Sequence, residues 1–78
     1  MQHVFEKIRE LIAAKKGVSQ ETITMAQSFE DLEMDSLDSV EVISDLEDHF
    51  NVSIPNQEVL QIKTIEEAVN SLSKLVNA

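Results

Sequence analysis

The chain has 78 residues, a formal net charge of −9 at pH 7, no cysteine, one glycine and one proline. A chain of that length builds one small domain around a single thin core, and without cysteine it owns no disulfide, thiolate metal site or thiol nucleophile. One glycine is too few for a P-loop or a dinucleotide fingerprint, and no apolar run approaches the ~20 residues of a membrane span. Met1 to Lys7 is amphipathic and mixed in charge, unlike the apolar core of a signal peptide. The expectation is a soluble, cytoplasmic monomer with residues 1–78 as a single domain; the absence of cysteine is compatible with a reducing compartment.

In chain order, Val4, Phe5, Ile8, Leu11 and Ile12 recur at helical spacing, and Gly17 follows as the stop. Ser19 to Ile23 reads as a turn or one helical turn. Thr24 to Met34 is a long connection anchored by Phe29 and Leu32, in which Ser28 and Asp31 can cap a short turn. A second helix is expected from Ser36 to Asn51, with Leu37, Val40, Ile43, Leu46 and Phe50 as its apolar stripe and Val42 off the centre. Pro55 breaks the chain. A short third helix is expected over Gln57 to Gln61, with Asn56 as cap and Val59, Leu60 and Ile62 as apolar contacts. The fourth opens on Thr64-Ile65-Glu66-Glu67, a capping box, and runs on through Ala68, Val69, Leu72, Leu75 and Val76. Asn51 to Ile54 alternates but is too short to make a sheet. The pattern predicts an all-α protein: a small four-helix bundle with a long loop between helices 1 and 2 and a short third helix.

Charge is distributed unevenly. Lys7, Arg9, Lys15, Lys16, Lys63 and Lys74 are the only basic residues, so Gly17 to Ile62 contains none, against eleven Asp or Glu. Nine of those acids fall between Glu30 and Asp48. Nucleic acid and anionic membrane surfaces are thereby disfavoured as partners, since both need a basic face. An acidic face either solubilises or steers the chain toward basic patches on other proteins.

Few chemistries remain. His3 and His49 are far apart and in no metal-binding spacing, and His49 reads as a polar-face residue near a helix end. An EF-hand starting at Asp31 fails at position six, where Ser36 replaces the required Gly, and at position twelve, where Val42 replaces Glu. No G-x-S-x-G elbow supports a serine hydrolase. Intrinsic catalysis is not expected. Asp35-Ser36-Leu37-Asp38-Ser39 stands out instead, a serine placed where an acidic loop turns into a helix. Its ordinary reading is that Asp35 or Ser36 is an N-cap. Its functional reading is a hydroxyl open to another enzyme, where an attached phosphate meets free N–H groups and the positive end of the helix dipole.

Ser28-Phe29-Glu30-Asp31-Leu32-Glu33-Met34-Asp35-Ser36-Leu37-Asp38-Ser39-Val40-Glu41, followed by Leu46-Glu47-Asp48-His49-Phe50 and Ile54-Pro55, resembles the acyl carrier proteins of dissociated fatty acid synthesis. The likeness runs over nearly the whole chain, from the Phe5-Glu6 helix to the Thr64 box. It implies that Ser36 receives 4′-phosphopantetheine from coenzyme A through a phosphopantetheinyl transferase. The thiol of that arm then carries acyl chains as thioesters between fatty acid synthesis enzymes. It also implies docking of the second helix to basic patches, with Asp35, Asp38, Glu41, Glu47 and Asp48 meeting Arg and Lys while Leu37 and Val40 give apolar contact. Leu46, Ile54, Ile62 and Ala68 are the core residues expected to admit an acyl chain, and Met34 is a soft contact beside the serine or a loop anchor. The departures are Glu33 where the common form has Gly, a loop one residue shorter, Ser44 in place of a larger apolar residue, and Asn56 and Gln57 in place of an acidic pair. They leave room for a specialised carrier of a polyketide or other secondary acyl pathway. An unmodified acidic helical adaptor is the alternative of a different class. In the carrier reading the cap falls to Asp35, and Ser36 faces outward.

Overall fold

The computed structural model describes residues 2–76; the expected domain limits at 1 and 78 lie outside them. Among the described residues four helices follow one another, α1 (Gln2–Lys16), α2 (Ser36–Phe50), α3 (Asn56–Gln61) and α4 (Ile65–Val76), with a 3-10 turn at Gln20–Thr22. The expected all-α bundle, long first loop and short third helix are therefore present. Among the described residues no helix is long and apolar enough to cross a membrane.

The core is built on α1, α2 and α4. Val4, Ile8 and Ile12 of α1 meet Val42, Ile43 and Leu46 of α2 and Ile65, Ala68, Val69 and Leu72 of α4, all nearly or fully buried. Ile23, Phe29 and Met34 of the long loop close one end. Helix α3 contributes no fully buried residue of its own. It is held by the buried residues that flank it, Ile54 and Ile62, and by the half-buried Val59. Six residues are too few for a helix to be stable by itself, so α3 depends on those two isoleucines.

Each boundary has a local cause. Gly17, at φ +69°, ends α1, and the Gly17 and Val18 N–H groups both donate to the Ala13 carbonyl at 2.8 and 3.2 Å. Asn51, at φ +57°, ends α2 one residue earlier than expected; asparagine is among the few residues that tolerate this left-handed cap. The chain is then turned by Glu47, whose carboxylate accepts the Ile54 N–H at 2.6 Å. Helix α3 begins at Asn56, not Gln57, and Pro55 precedes it with no side-chain cap bond. Proline's fixed φ, not the Asn56 side chain, sets that start.

Three residues of the expected apolar stripes are corrected. Leu37 and Val40 are 66% and 41% exposed, whereas Val42 is buried. At about 100° per residue, Leu37 lies opposite Leu46 on the helix, and Val42 and Ile43 flank Leu46. Leu60 is 67% exposed and does not pack into the core.

The long loop is pinned to the start of α4. Phe29 N–H donates to the Lys63 carbonyl at 2.9 Å and Ile65 N–H to the Gln27 carbonyl at 3.0 Å, around an isolated bridge between Ser28 and Thr64. Ser28 and Asp31 cap each other reciprocally within the loop, at 3.1 and 3.0 Å. The Thr64 box forms as expected. Glu67 N–H donates to Thr64 Oγ1 at 3.1 Å, and the Lys63 and Thr64 N–H groups donate to Glu67 Oε1 at 2.9 and 3.0 Å. On α4 the buried Ser73 hydroxyl has no partner among the described residues, a local cost to the fold.

The N–H groups of Lys63 and then Thr64 hold the Glu67 carboxyl below its ordinary value of 4.5. A carboxyl lowered in the folded state contributes stability that is complete above the unfolded pKa and lost as pH falls through the folded one. Glu67→Ala is therefore expected to lower the urea midpoint near pH 7, and the gap from the parent chain is expected to narrow on acidification below pH 4.5. Paired urea titrations across that range check this; a gap of constant width contradicts it.

Candidate functional site

The start of α2 is organised by Asp35. Its backbone is extended, and its carboxylate accepts the Asp38 N–H at 2.8 Å. Its carbonyl accepts the Ser39 N–H and the Ser39 hydroxyl, both at 3.1 Å. The cap is thus Asp35. Ser36, the first helical residue, is exposed, and its hydroxyl enters none of these bonds. The N–H groups of Ser36 and Leu37 precede the first intrahelical bond and are left open at the positive end of the helix.

Beside Ser36 lies an open cleft of about 330 Å³. Ser36, Ser39, Val40 and Ile43 line it from α2, spaced so that they share one helical face. Phe29 and Met34 form its floor from the loop, and Val59, Leu60 and Ile62 face it from α3 and its end. Met34 is buried and lines the cleft, so it both anchors the loop and touches the site. Of the four core residues expected to admit an acyl chain, only Ile62 lines this cleft; Leu46, Ile54 and Ala68 are buried elsewhere in the core. Glu30, Asp35 and Lys63 are the charged residues at its rim.

The segment before Ser36 is held from α1. Glu33 sits at φ +59°, and its carbonyl accepts the Lys16 ammonium at 2.9 Å. Lys15 bonds Glu41 Oε2 and stands 3.7 Å from Asp38 Oδ1. Glu41, by hydrogen bond and charge, and Asp38 together raise the Lys15 pKa above its ordinary value despite an opposing desolvation effect.

All seven residues expected to meet partners lie on α2 or at its cap. Leu37, Val40, Glu41 and Asp48 are exposed, while Asp38 and Glu47 are half-buried. Four of the five carboxylates already have work inside the molecule. Asp35 caps the helix, Asp38 and Glu41 face Lys15, and Glu47 holds the Ile54 N–H. Asp48 and, beside it, Asp45 have no hydrogen bond or ion pair among the described residues. Sequence reasoning missed the engagement of Lys15 and Lys16. The available signal was two consecutive cations ending α1, next in the chain to a segment that has none.

The family described as the phosphopantetheine attachment site matches residues 6–72. The acyl carrier protein of Rubrobacter xylanophilus is 46% identical over 70 residues, covering 88% of this chain and 86% of that protein. The acyl carrier protein of Petrotoga mobilis is 40% identical over 75 residues, covering 95% of this chain and 88% of that one. The chain belongs to the acyl carrier protein family. Its cofactor is accordingly 4′-phosphopantetheine. The residues at the start of α2 fit that group: a hydroxyl outside the cap, two open N–H groups for a phosphate, and an apolar cleft alongside for an arm and its cargo.

The family resemblance puts glycine where this chain has Glu33, and the left-handed backbone there gives the reason: a Cβ at positive φ is strained. Glu33→Gly is expected to raise stability by up to about 1 kcal/mol while keeping the Lys16 bond to the carbonyl. Chemical denaturation measures this; a loss of stability shows that the Glu33 side chain contributes more than its backbone costs.

Proposed function

We propose that Ser36 is the attachment point of 4′-phosphopantetheine and that the chain is a single carrier domain of fatty acid synthesis. It works as a cytoplasmic monomer without catalysis of its own. The observation that carries this reading is the division of labour at the start of α2. Asp35 satisfies the cap, so the Ser36 hydroxyl is exposed and uncommitted at the edge of the apolar cleft. In the modification step a phosphopantetheinyl transferase joins Ser36 Oγ to the pantetheine phosphorus of coenzyme A. The P–O bond to the adenosine bisphosphate breaks, and the serine proton leaves with the base that the transferase supplies. The open Ser36 and Leu37 N–H groups and the positive end of the α2 dipole would favour the negative charge of the phosphodiester there.

When bound, the group supplies the thiol that the chain lacks, on which acyl groups travel as thioesters. The chain's own residues hold and present it. Leu37 and Val40, exposed in the first turns of α2 beside the serine, give partners apolar contact. Asp35, Asp38, Glu41, Glu47 and Asp48 give the face its negative field, which steers it to basic patches on the transferase and the synthesis enzymes. Exposed ion pairs of this kind are each worth ~0–1 kcal/mol, so binding is weak and quickly reversed, as delivery to several enzymes requires.

The test is to incubate the unmodified chain with coenzyme A and a phosphopantetheinyl transferase and to measure the intact mass. The expected result is a gain of one phosphopantetheine, abolished by Ser36→Ala with helicity retained. No gain with any of several transferases supports the unmodified adaptor instead.

A further inference from the structure

Helix α1 has no assigned part in docking, yet its last turn reaches the docking face. Lys15 Nζ lies between two carboxylates of α2 that are one turn apart, bonded to Glu41 Oε2 and 3.7 Å from Asp38 Oδ1. Neither α1 nor α2 needs this pair in order to meet, because Ile8 and Ile12 already pack against Val42, Ile43 and Leu46 in the common core. The three side chains are partly open to solvent, at 29% for Lys15, 31% for Asp38 and 53% for Glu41. The ammonium therefore stays exchangeable. It also sits where a basic group from another protein would have to arrive.

We propose that Lys15 is an internal competitor for the cations of partner enzymes: a partner Arg or Lys gains Asp38 and Glu41 only by displacing the Lys15 ammonium. The inference rests on the docking reading given above. Two effects act in the same direction. The carboxylates are already paired, so a partner exchanges one ion pair for another. The Lys15 charge also repels an approaching cation, and like charges brought together at an interface suppress binding. Asp45 and Asp48, one to two turns further along α2, have no such competitor among the described residues and form the unshielded end of the face. First contact accordingly falls at Asp45 and Asp48, and Lys15 sets how readily the contact extends to the Ser36 end. An exposed pair of this strength corresponds to a change in affinity of about two- to fivefold.

The experiment uses the unmodified full chain as substrate of a phosphopantetheinyl transferase with coenzyme A. KM and kcat are measured at several salt concentrations, and circular dichroism melts verify that each variant is folded. Lys15→Gln is expected to lower KM by about two- to fivefold, to steepen its rise with salt and to leave kcat unchanged. Lys15→Arg, which keeps the charge and forks onto both carboxylates, is expected to give a KM at or above that of the parent chain. Asp38→Asn and Asp48→Asn are expected to raise KM. A KM for Lys15→Gln that is unchanged or higher, with the two Asp variants raising it as expected, overturns the competitor role and leaves Lys15 a structural tie. If the Asp variants leave KM and its salt dependence unchanged, the docking reading fails, and the competitor role with it.

Discussion

The bond from the Asp38 N–H to the Asp35 carboxylate governs the rest of the site. A helix start must satisfy several N–H groups, and a serine is as able as an aspartate to do it. Had Ser36 been the cap, its hydroxyl would be turned inward onto the backbone and the helix would begin one residue later. With Asp35 in that role, Ser36 is the first helical residue, exposed, with open N–H groups around it. The same residue's carbonyl takes both the N–H and the hydroxyl of Ser39, so a neighbouring serine that lines the cleft is already occupied. One capping residue thus separates an uncommitted hydroxyl from a structural one.

The fold holds that start in place from two sides. From below, Met34 and Phe29 are buried against the core, and the Met34 N–H is tied to the Phe29 carbonyl at 3.0 Å. From α1, Lys16 grips the Glu33 carbonyl and Lys15 reaches over to Asp38 and Glu41. The opposite wall of the cleft is lightly built. Helix α3 buries none of its own residues and hangs on Ile54 and Ile62. Local opening draws on the segments with fewest buried contacts, so the cleft has one rigid wall, α2, and one that yields at small cost, α3.

The fold was legible in the sequence because its elements are locally specified. The α1 stripe, the Gly17 stop, the Thr64 box and the reciprocal Ser28–Asp31 cap all formed where residue type and spacing put them. Ser36 stood out in the sequence as the candidate site because it sits where the acidic loop turns into a helix, and the exposed hydroxyl at the first position of α2 agrees with that placement. The α2 stripe was misread at Leu37 and Val40: spacing fits both, but helical phase places Leu37 opposite Leu46 and turns Val40 to the cleft edge. Leu60 was misread for the same reason, since a six-residue helix is too short for periodicity to reveal which side is buried. The acidic face was the least legible feature. The cap role of Asp35 is local and was expected, but a carboxylate in a sequence otherwise looks free, and only the folded structure shows that Asp38, Glu41 and Glu47 are engaged by a lysine or a backbone amide.

Whether the Asp35 cap leaves Ser36 as the hydroxyl that is modified is decided by locating the modification within the chain. Proteolysis of the phosphopantetheine-bearing protein and fragmentation of its peptides assigns the adduct to a single serine among Ser28, Ser36, Ser39 and Ser44. The whole adduct is expected on Ser36. An adduct on Ser39 or on a loop serine would contradict it.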